Sequence, residues 1–330
     1  MVLFSPSRAA NLFCLQKHFL YVKYSQQNQI CQIEIHGPPR RAQASGEASM
    51  LRVDTHQHFW NLDEVAYPWL VPAYGPIYRT FDAAELAPQL AASGVDKTVI
   101  VQAMDSYADT DSMLAIAAQE DWVAGVVGWV PLHDPAEADR KLDEYARNPY
   151  FKGMRHLIHE ESNPDWVIQK QVIEGLQLLA DRGLTFDVVA VFPNHLEHVP
   201  ALAERVPELR MVIDHLAKPP LEEADRAVWR EQMSAAAESP NVFAKLSGLN
   251  TVTSDFENWT YEDIKPLIDF AIEQFGVDRL MFGSDWPVAV LAGDYAKVWD
   301  ETNRAIADLS EAEKDALLGG TANSFYSLNL

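Results

Sequence analysis

The feature that most constrains the fold is a regular alternation of short apolar runs and longer amphipathic stretches, which begins at residue 51 and continues through the chain. Such alternation is typical of a parallel α/β architecture. Several of the runs are continuously apolar, as expected for strands that are buried on both faces. The predicted strands cover residues 51–55, 97–102, 123–130, 153–156, 184–189, 210–214, 242–246 and 279–283.

The amphipathic stretches predict the helices, which cover residues 83–93, 111–120, 165–181, 196–205, 221–238, 261–275 and 295–309, with a tail helix from Ser310. A further helix start is marked by Asp134-Pro135. Eight strand–helix units over about 280 residues predict one closed (β/α)8 barrel of the TIM type. A doubly wound sheet is disfavoured because neither a GxGxxG turn nor a P-loop occurs.

The first 49 residues differ from the rest. They show no sustained helical or strand period, contain both cysteines, Cys14 and Cys31, and carry five basic against two acidic residues. We expect residues 1–49 to be a poorly ordered extension without chemistry, followed by a single barrel domain over residues 50–330 with Met50 as its natural start. A transit-type targeting segment is the alternative, and a secretory signal is disfavoured because the apolar region is interrupted.

The composition excludes several classes of partner. A net charge of −22 and a pI of about 4.7 disfavour nucleic acid and anionic membrane surfaces. No apolar run reaches the roughly 20 residues of a membrane span, so we expect no membrane association and a cytoplasmic location. The chain beyond residue 49 contains no cysteine, which excludes thiolate metal ligands and a cysteine nucleophile there.

Chemistry-bearing residues follow three of the predicted strands. His56 and His58 follow the first strand, and since residues i and i+2 of an extended chain face the same side, two imidazoles can converge on one point. His215 follows the sixth strand and Asp285 the eighth. Each is weak alone, because histidines and aspartates also cap and pack. Together they lie on the rim where a barrel places its active site, and they suit a divalent cation or general-base chemistry.

The motifs that carry these residues resemble the amidohydrolase superfamily over residue 51 to the C-terminus. They are H-Q-H-F-W after strand one, G-x-R-H at strand four, D-H-x-A-K-P at strand six, K-L-S-G-L at strand seven and F-G-S-D-W-P at strand eight. More narrowly, they resemble its lactonase-type branch, which contains sugar-lactone hydrolases such as L-fuconolactonase and L-rhamnonolactonase, and relatives such as 2-pyrone-4,6-dicarboxylate hydrolase.

The resemblance implies roles for individual residues. His56, His58 and His215 match the histidines that bind a metal or polarise a carbonyl, and Asp285 matches the aspartate that activates water. Arg155 and His156 match a segment that contributes to substrate binding. Because strand five offers no histidine and no bridging lysine or glutamate follows strand four, the resemblance implies at most one divalent metal, Zn²⁺ or Mn²⁺, and a metal-independent enzyme is the alternative.

Substrate class follows from the residues near the rim. Few arginines lie at strand ends, Arg155 being the convincing one, so a dianionic substrate is disfavoured and a small neutral sugar lactone is expected. Trp60, Trp286 and Gln102 are predicted to contact it, with core packing as the alternative for each tryptophan. The rival functions are a metal-dependent decarboxylase with the same barrel and a catalytically silent binding barrel, which the intact His/His/His/Asp set disfavours.

Overall fold

The computed structural model describes residues 51–330 and the backbone of two short strands nearer the N-terminus, Phe19–Tyr21 and Glu34–His36. Residues 51–330 contain eight parallel strands in sequential order. They are β1 Val53–Gln57, β2 Lys97–Val101, β3 Val123–Gly128, β4 Phe151–His156, β5 Thr185–Val188, β6 Arg210–Ile213, β7 Val242–Leu246 and β8 Leu280–Phe282. A parallel bridge between Gln57 and Trp286 joins β1 to the end of β8, and the predicted (β/α)8 fold is confirmed.

Helices separate successive strands and cover the outside of the barrel. They are α1 Ala83–Ser93, α2 Tyr107–Ala117, α3 Pro135–Tyr145, α4 Lys170–Asp181, α5 Val199–Arg205, α6 Glu223–Ala237, α7 Tyr261–Phe275, α8 Tyr295–Ala305, α9 Glu311–Asp315 and α10 Thr321–Tyr326. The bounds of α1 and α7 agree with the prediction, because Asp82 and Thr260 cap their first turns. The start of α2 lies four residues before the predicted one, since Ser106 accepts a hydrogen bond from the backbone N–H of Asp109.

Two apolar layers stabilise the barrel. The larger packs the outer faces of the strands against the helices. The smaller fills the barrel interior with inward-facing strand residues such as Val53, Val99 and Met281, together with Phe325 and Tyr326 from the C-terminal segment. That segment closes the amino-terminal end of the barrel, because Lys152 in β4 and Arg210 at the start of β6 donate hydrogen bonds to its carbonyl oxygens.

The N-terminal part forms a separate unit over residues 1–48. In it the structure describes one antiparallel strand pair, with Phe19 opposite His36 and Tyr21 opposite Glu34. The predicted disorder of residues 1–49 otherwise lies outside the described residues. Among the residues that the structure describes, no helix is long and apolar enough to cross a lipid bilayer.

The Tyr326 hydroxyl extends from α10 into the barrel interior, where it lies 2.8 Å from Asp187 Oδ2 and both side chains are buried. We predict that Tyr326→Phe lowers the free energy of unfolding by about 1–3 kcal/mol, because a buried carboxylate loses a donor that water cannot replace. Urea denaturation measures the change. Ser324→Ala, which removes a hydroxyl from the exposed side of the same helix, is the matched control, and equal stabilities of the two variants would contradict the prediction.

Candidate active site

The candidate site forms where β1 meets the end of β8. The backbone N–H of Asp285 donates to the carbonyl oxygen of His56 at 2.7 Å, and the N–H of His58 donates to the carbonyl oxygen of Trp286 at 2.7 Å. Asp54 accepts a hydrogen bond from the backbone N–H of Ser284 at 2.9 Å. We call these contacts the seam. Because of the seam, β1 continues to Gln57, two residues beyond its predicted end, and His56 lies within the strand.

Three histidines and one aspartate converge beside the seam. His56 Nε2 and His58 Nε2 are 3.2 Å apart. One oxygen of Asp285, Oδ1, lies 3.4 Å from His58 Nε2, 3.8 Å from His56 Nε2 and 3.9 Å from His215 Nε2. All four side chains are buried. The structure therefore brings together the four residues that the sequence analysis placed at the ends of strands one, six and eight.

Neighbouring groups fix the direction of each imidazole. His58 Nδ1 lies 2.7 Å from the carbonyl oxygen of Val101, and because a carbonyl only accepts, Nδ1 carries the proton and Nε2 presents a lone pair to the cluster. His215 Nδ1 lies 2.8 Å from the Ser247 hydroxyl, so its Nε2 also faces the cluster.

The third imidazole, His56, can be satisfied in either tautomer. Its Nδ1 has a donor, Lys245 Nζ, at 3.1 Å and an acceptor, Asp214 Oδ1, at 3.2 Å. With the lone pair on Nδ1, Lys245 donates to it. With the proton on Nδ1, Asp214 accepts it, and Nε2 then directs a lone pair toward Asp285.

His215 lies in an unusual turn after β6. Four consecutive residues, His215, Leu216, Ala217 and Lys218, have positive φ values of 54°, 47°, 61° and 55°. Left-handed geometry is unfavourable for residues other than glycine, so the turn depends on its surroundings. Phe192 N–H and the Trp229 indole N–H donate to the carbonyl oxygens of Ala217 and Leu216.

Two glycines leave room for the cluster. A Cβ on Gly283 would lie 2.6 Å from the Cβ of His56. A Cβ on Gly248, whose φ is 59°, would lie 2.9 Å from both Asp285 Oδ2 and His215 Nδ1. Larger side chains at either position would push the imidazoles or the carboxylate out of place.

Burial and neighbouring groups set the charges of the cluster. Burial lowers the pKa of His215 to about 4 and that of His56 well below its ordinary value, so both rings are neutral at neutral pH. Burial alone would raise the pKa of Asp285, but the nearby His215 and the charge of Lys218 hold it well below its ordinary value. Asp285 is therefore a carboxylate facing neutral imidazoles.

A buried ion network lies beneath the cluster, and its ion pairs were not predicted from the sequence. Lys245, which is fully buried in β7, binds Asp187 of β5 and lies 3.2 Å from Asp214 Oδ1. Arg155 of β4 donates from Nε to Asp214 Oδ2 at 2.8 Å. Two cations therefore balance two carboxylates. The sequence does contain a sign of this network, because Asp187 in β5 and Lys245 in β7 are charged residues inside otherwise apolar strands.

The donor set fits a divalent cation. His56, His58 and Asp285 offer ligand atoms that all lie within 4.8 Å of one another, and so do His56, Asp214 and His215. Asp214 Oδ1 is buried and lies 3.2 Å from both His56 Nδ1 and Lys245 Nζ. It lies where the Nδ1 proton of a metal-binding His56 would need an acceptor, which is the usual second partner of a ligating histidine. Neutral imidazoles with a carboxylate are the ligands that Zn²⁺ prefers.

A cavity of about 530 Å³ opens above the cluster. His58, His215 and Asp285 form its base. The loops after β1 and β8 contribute an apolar and aromatic wall, which consists of Trp60, Trp69, Tyr74, Ile77, Val288 and Leu291. The end of β4 and the segments after β4 and β6 contribute the polar side chains Arg155, His159, Glu160 and Lys218. Val189 and Val191 line it after β5, where the sequence offered no histidine.

The predicted substrate-binding residues divide into two groups. Arg155 and Trp60 line the cavity, whereas Gln102, His156 and Trp286 do not. His156 stacks on Trp166 with ring centroids 3.9 Å apart, and Gln102 bonds to Asp105. Contact between these residues and a substrate stays a prediction.

The barrel and its rim define an enzyme with a three-histidine, one-aspartate centre at the carboxyl ends of the strands. The chain belongs to the amidohydrolase family, because that family's model, described as Amidohydrolase, matches residues 53–328. This confirms the resemblance drawn from the motifs.

Individual relatives cover almost the whole barrel. An L-fucono-1,5-lactonase of Burkholderia ambifaria is 36% identical over 282 residues, which are 84% of this chain and 96% of the relative. A crystal structure of an amidohydrolase from Burkholderia multivorans with bound zinc is 35% identical, has a TM-score of 0.77, and aligns over 84% of this chain and 99% of its own. A 5-carboxyvanillate decarboxylase from Sphingomonas paucimobilis, with a TM-score of 0.60 and 14% identity over 84% of this chain and 99% of its own, shares the fold alone.

Two tryptophans near the cluster have different environments. Trp69 lines the cavity and donates from its indole to the carbonyl oxygen of Ala103, whereas Trp286 is 1% exposed and packs on Phe59 and Phe81. We predict that Trp286→Ala lowers the free energy of unfolding by about 3–5 kcal/mol. Trp69→Ala should instead raise the KM for substrate with a smaller loss of stability. Denaturation and steady-state kinetics on both variants check this, and the opposite ranking would contradict it.

Proposed function

We infer that this protein hydrolyses the ester bond of a small, neutral sugar lactone. The observation that carries the proposal is the single ionised carboxylate, Asp285, which faces three imidazole Nε2 atoms at the base of a cavity. That arrangement supplies a proton acceptor for water and electrophilic groups for a carbonyl oxygen, as ester hydrolysis requires. The similarity to an L-fucono-1,5-lactonase supports the same substrate class.

The reaction can be written around Asp285. Its carboxylate takes a proton from a water molecule while the water oxygen bonds to the lactone carbonyl carbon, and the carbonyl π electrons move to the carbonyl oxygen. When this oxyanion collapses, the ring C–O bond breaks and the leaving alkoxide takes the proton from Asp285. The product hydroxy acid ionises at neutral pH, so lactone and water yield a carboxylate and a proton.

With the proton on Nε2, His56 and His215 can donate to the carbonyl oxygen. With Nε2 lone pairs, all three histidines can hold a cation. His56, His58, His215 and Asp285 would hold one divalent ion, Zn²⁺ or Mn²⁺. When bound, such an ion polarises the carbonyl and lowers the pKa of water. His58 keeps its Nε2 lone pair toward the cluster because Val101 holds its Nδ1 proton.

The cavity supports a neutral monosaccharide lactone. Its volume of about 530 Å³ is in the range of small-molecule sites. Arg155 is its only arginine among residues 51–330, and that side chain already binds Asp214, which leaves few bidentate partners for a dianion. The aromatic wall can pack on the apolar face of a sugar ring.

The proposal predicts turnover of aldonolactones that depends on Asp285. With L-fucono-1,5-lactone, L-rhamnono-1,4-lactone and D-galactono-1,4-lactone in a pH-indicator assay, we expect hydrolysis of at least one, and loss of that turnover in Asp285→Asn. The amide cannot accept the proton of water. Circular dichroism should show that the variant is folded.

Asp308→Asn is the matched control, because Asp308 is 86% exposed on its side chain and lies away from the cavity. It should keep the wild-type rate. Wild-type rates in Asp285→Asn would exclude that residue as the base, and a wild type that opens no lactone would contradict the proposed function.

The cation has a separate test. We predict that the purified protein holds about one divalent ion per chain, that a chelator removes it together with turnover, and that Zn²⁺ or Mn²⁺ restores both. His58→Asn should lose the ion, whereas His133→Asn, a change at an exposed histidine, should keep it. Elemental analysis measures the metal directly, and full turnover by metal-free protein would contradict a role for the cation.

A further inference from the structure

The reacting group changes from neutral to negatively charged during the proposed reaction. The lactone is neutral, the tetrahedral intermediate carries a negative oxygen and the product carries a carboxylate. Groups that bind the developing charge accelerate the reaction, because they interact more strongly with the transition state than with the substrate. A cationic side chain that lines the cavity and has no anionic partner can bind such a developing charge.

Two basic side chains line the cavity, Arg155 and Lys218. Arg155 is largely committed, since its Nε donates to Asp214 at 2.8 Å and its Nη1 to the carbonyl oxygen of Gln102 at 2.9 Å. The ammonium of Lys218 is different: the hydrogen bonds and ion pairs within residues 51–330 include none from it. The contrast is with Lys245, which is fully buried and lies against two carboxylates.

The backbone places Lys218 close to the reacting groups. It is the last residue of the left-handed turn that begins at His215, and its N–H donates to the carbonyl oxygen of His215 at 2.9 Å. One short turn therefore supplies both an imidazole of the cluster and a cation of the cavity. The charge of Lys218 acts on the cluster, since it contributes to lowering the pKa of Asp285 and of His215.

We propose that Lys218 binds the negative oxygen that forms on the lactone carbonyl and then the carboxylate of the product. This role of Lys218 rests on the lactone hydrolysis proposed above, for which it adds a binding residue. An unpaired ammonium in a half-enclosed cavity gains little from a neutral lactone and much from an anion. Lys218 therefore discriminates between substrate and product.

The test compares Lys218→Met with Lys218→Arg and with Lys170→Met, which removes a charge from an 86% exposed lysine. With L-fucono-1,5-lactone as substrate, Lys218→Met should lower kcat by about 10²–10³-fold and change KM much less. Inhibition by added sodium L-fuconate should weaken at least about tenfold, by the same electrostatic reasoning. Lys218→Arg should recover part of the kcat and part of the inhibition by L-fuconate, and Lys170→Met should match the wild type in both measurements.

Two outcomes would overturn the proposal. One is a Lys218→Met enzyme with wild-type kcat and wild-type inhibition by L-fuconate. The other is a rise in KM alone, which would assign Lys218 to binding of the neutral lactone. If Lys218→Met does not fold, Lys218→Gln decides the question by the same two measurements. Failure of the proposed function looks different, because the wild type would then hydrolyse no lactone of the panel.

Discussion

The seam between β1 and the end of β8 is the constraint on which the site depends. Without it the eight strands would form an open sheet, and His56 and Asp285, which are 229 positions apart in the chain, would have no reason to meet. The hydrogen bond from Asp285 N–H to the His56 carbonyl sets the register. Because side chains alternate along a strand, a slip of one residue would turn both histidines away from the cluster. Barrel closure and assembly of the site are therefore one event.

The buried ion network explains how the histidines keep their orientation in a low-dielectric interior. Asp214 and Asp187 would repel each other and favour protonation if they were alone, and burial does raise the pKa of Asp187 to about 6. Lys245 and Arg155 compensate, and they hold the pKa of Asp214 well below its ordinary value in spite of burial. Asp214 consequently remains an acceptor beside His56 Nδ1. Charges that contribute little to net stability thus hold Nδ1 of His56 between a donor and an acceptor, and Nε2 faces the cluster.

Local sequence information predicted the barrel and the four central residues, but only part of their surroundings. The strand ends and the two-residue period were sufficient for His56 and His58, since both depend on backbone geometry alone. The positions of the His156 and Trp286 side chains depend instead on how the loops pack. His156 ends β4 yet turns to stack on Trp166, and Trp286 packs on Phe59 and Phe81. Lys245 and Asp187 become partners through the order of strands in the barrel, which no local pattern specifies.

The left-handed turn at His215–Lys218 has an unfavourable backbone conformation that the site requires. Left-handed geometry costs roughly 1–2 kcal/mol per non-glycine residue, and four such residues follow one another. Burial of Leu216 and Ala217 and the hydrogen bonds from Phe192 and Trp229 offset this cost. Glycines would adopt the turn at less cost, but they would provide neither an imidazole nor an ammonium. Backbone strain of this kind persists where the surrounding structure over-determines it. Here it lets one turn direct a neutral histidine and a cation into the same cavity.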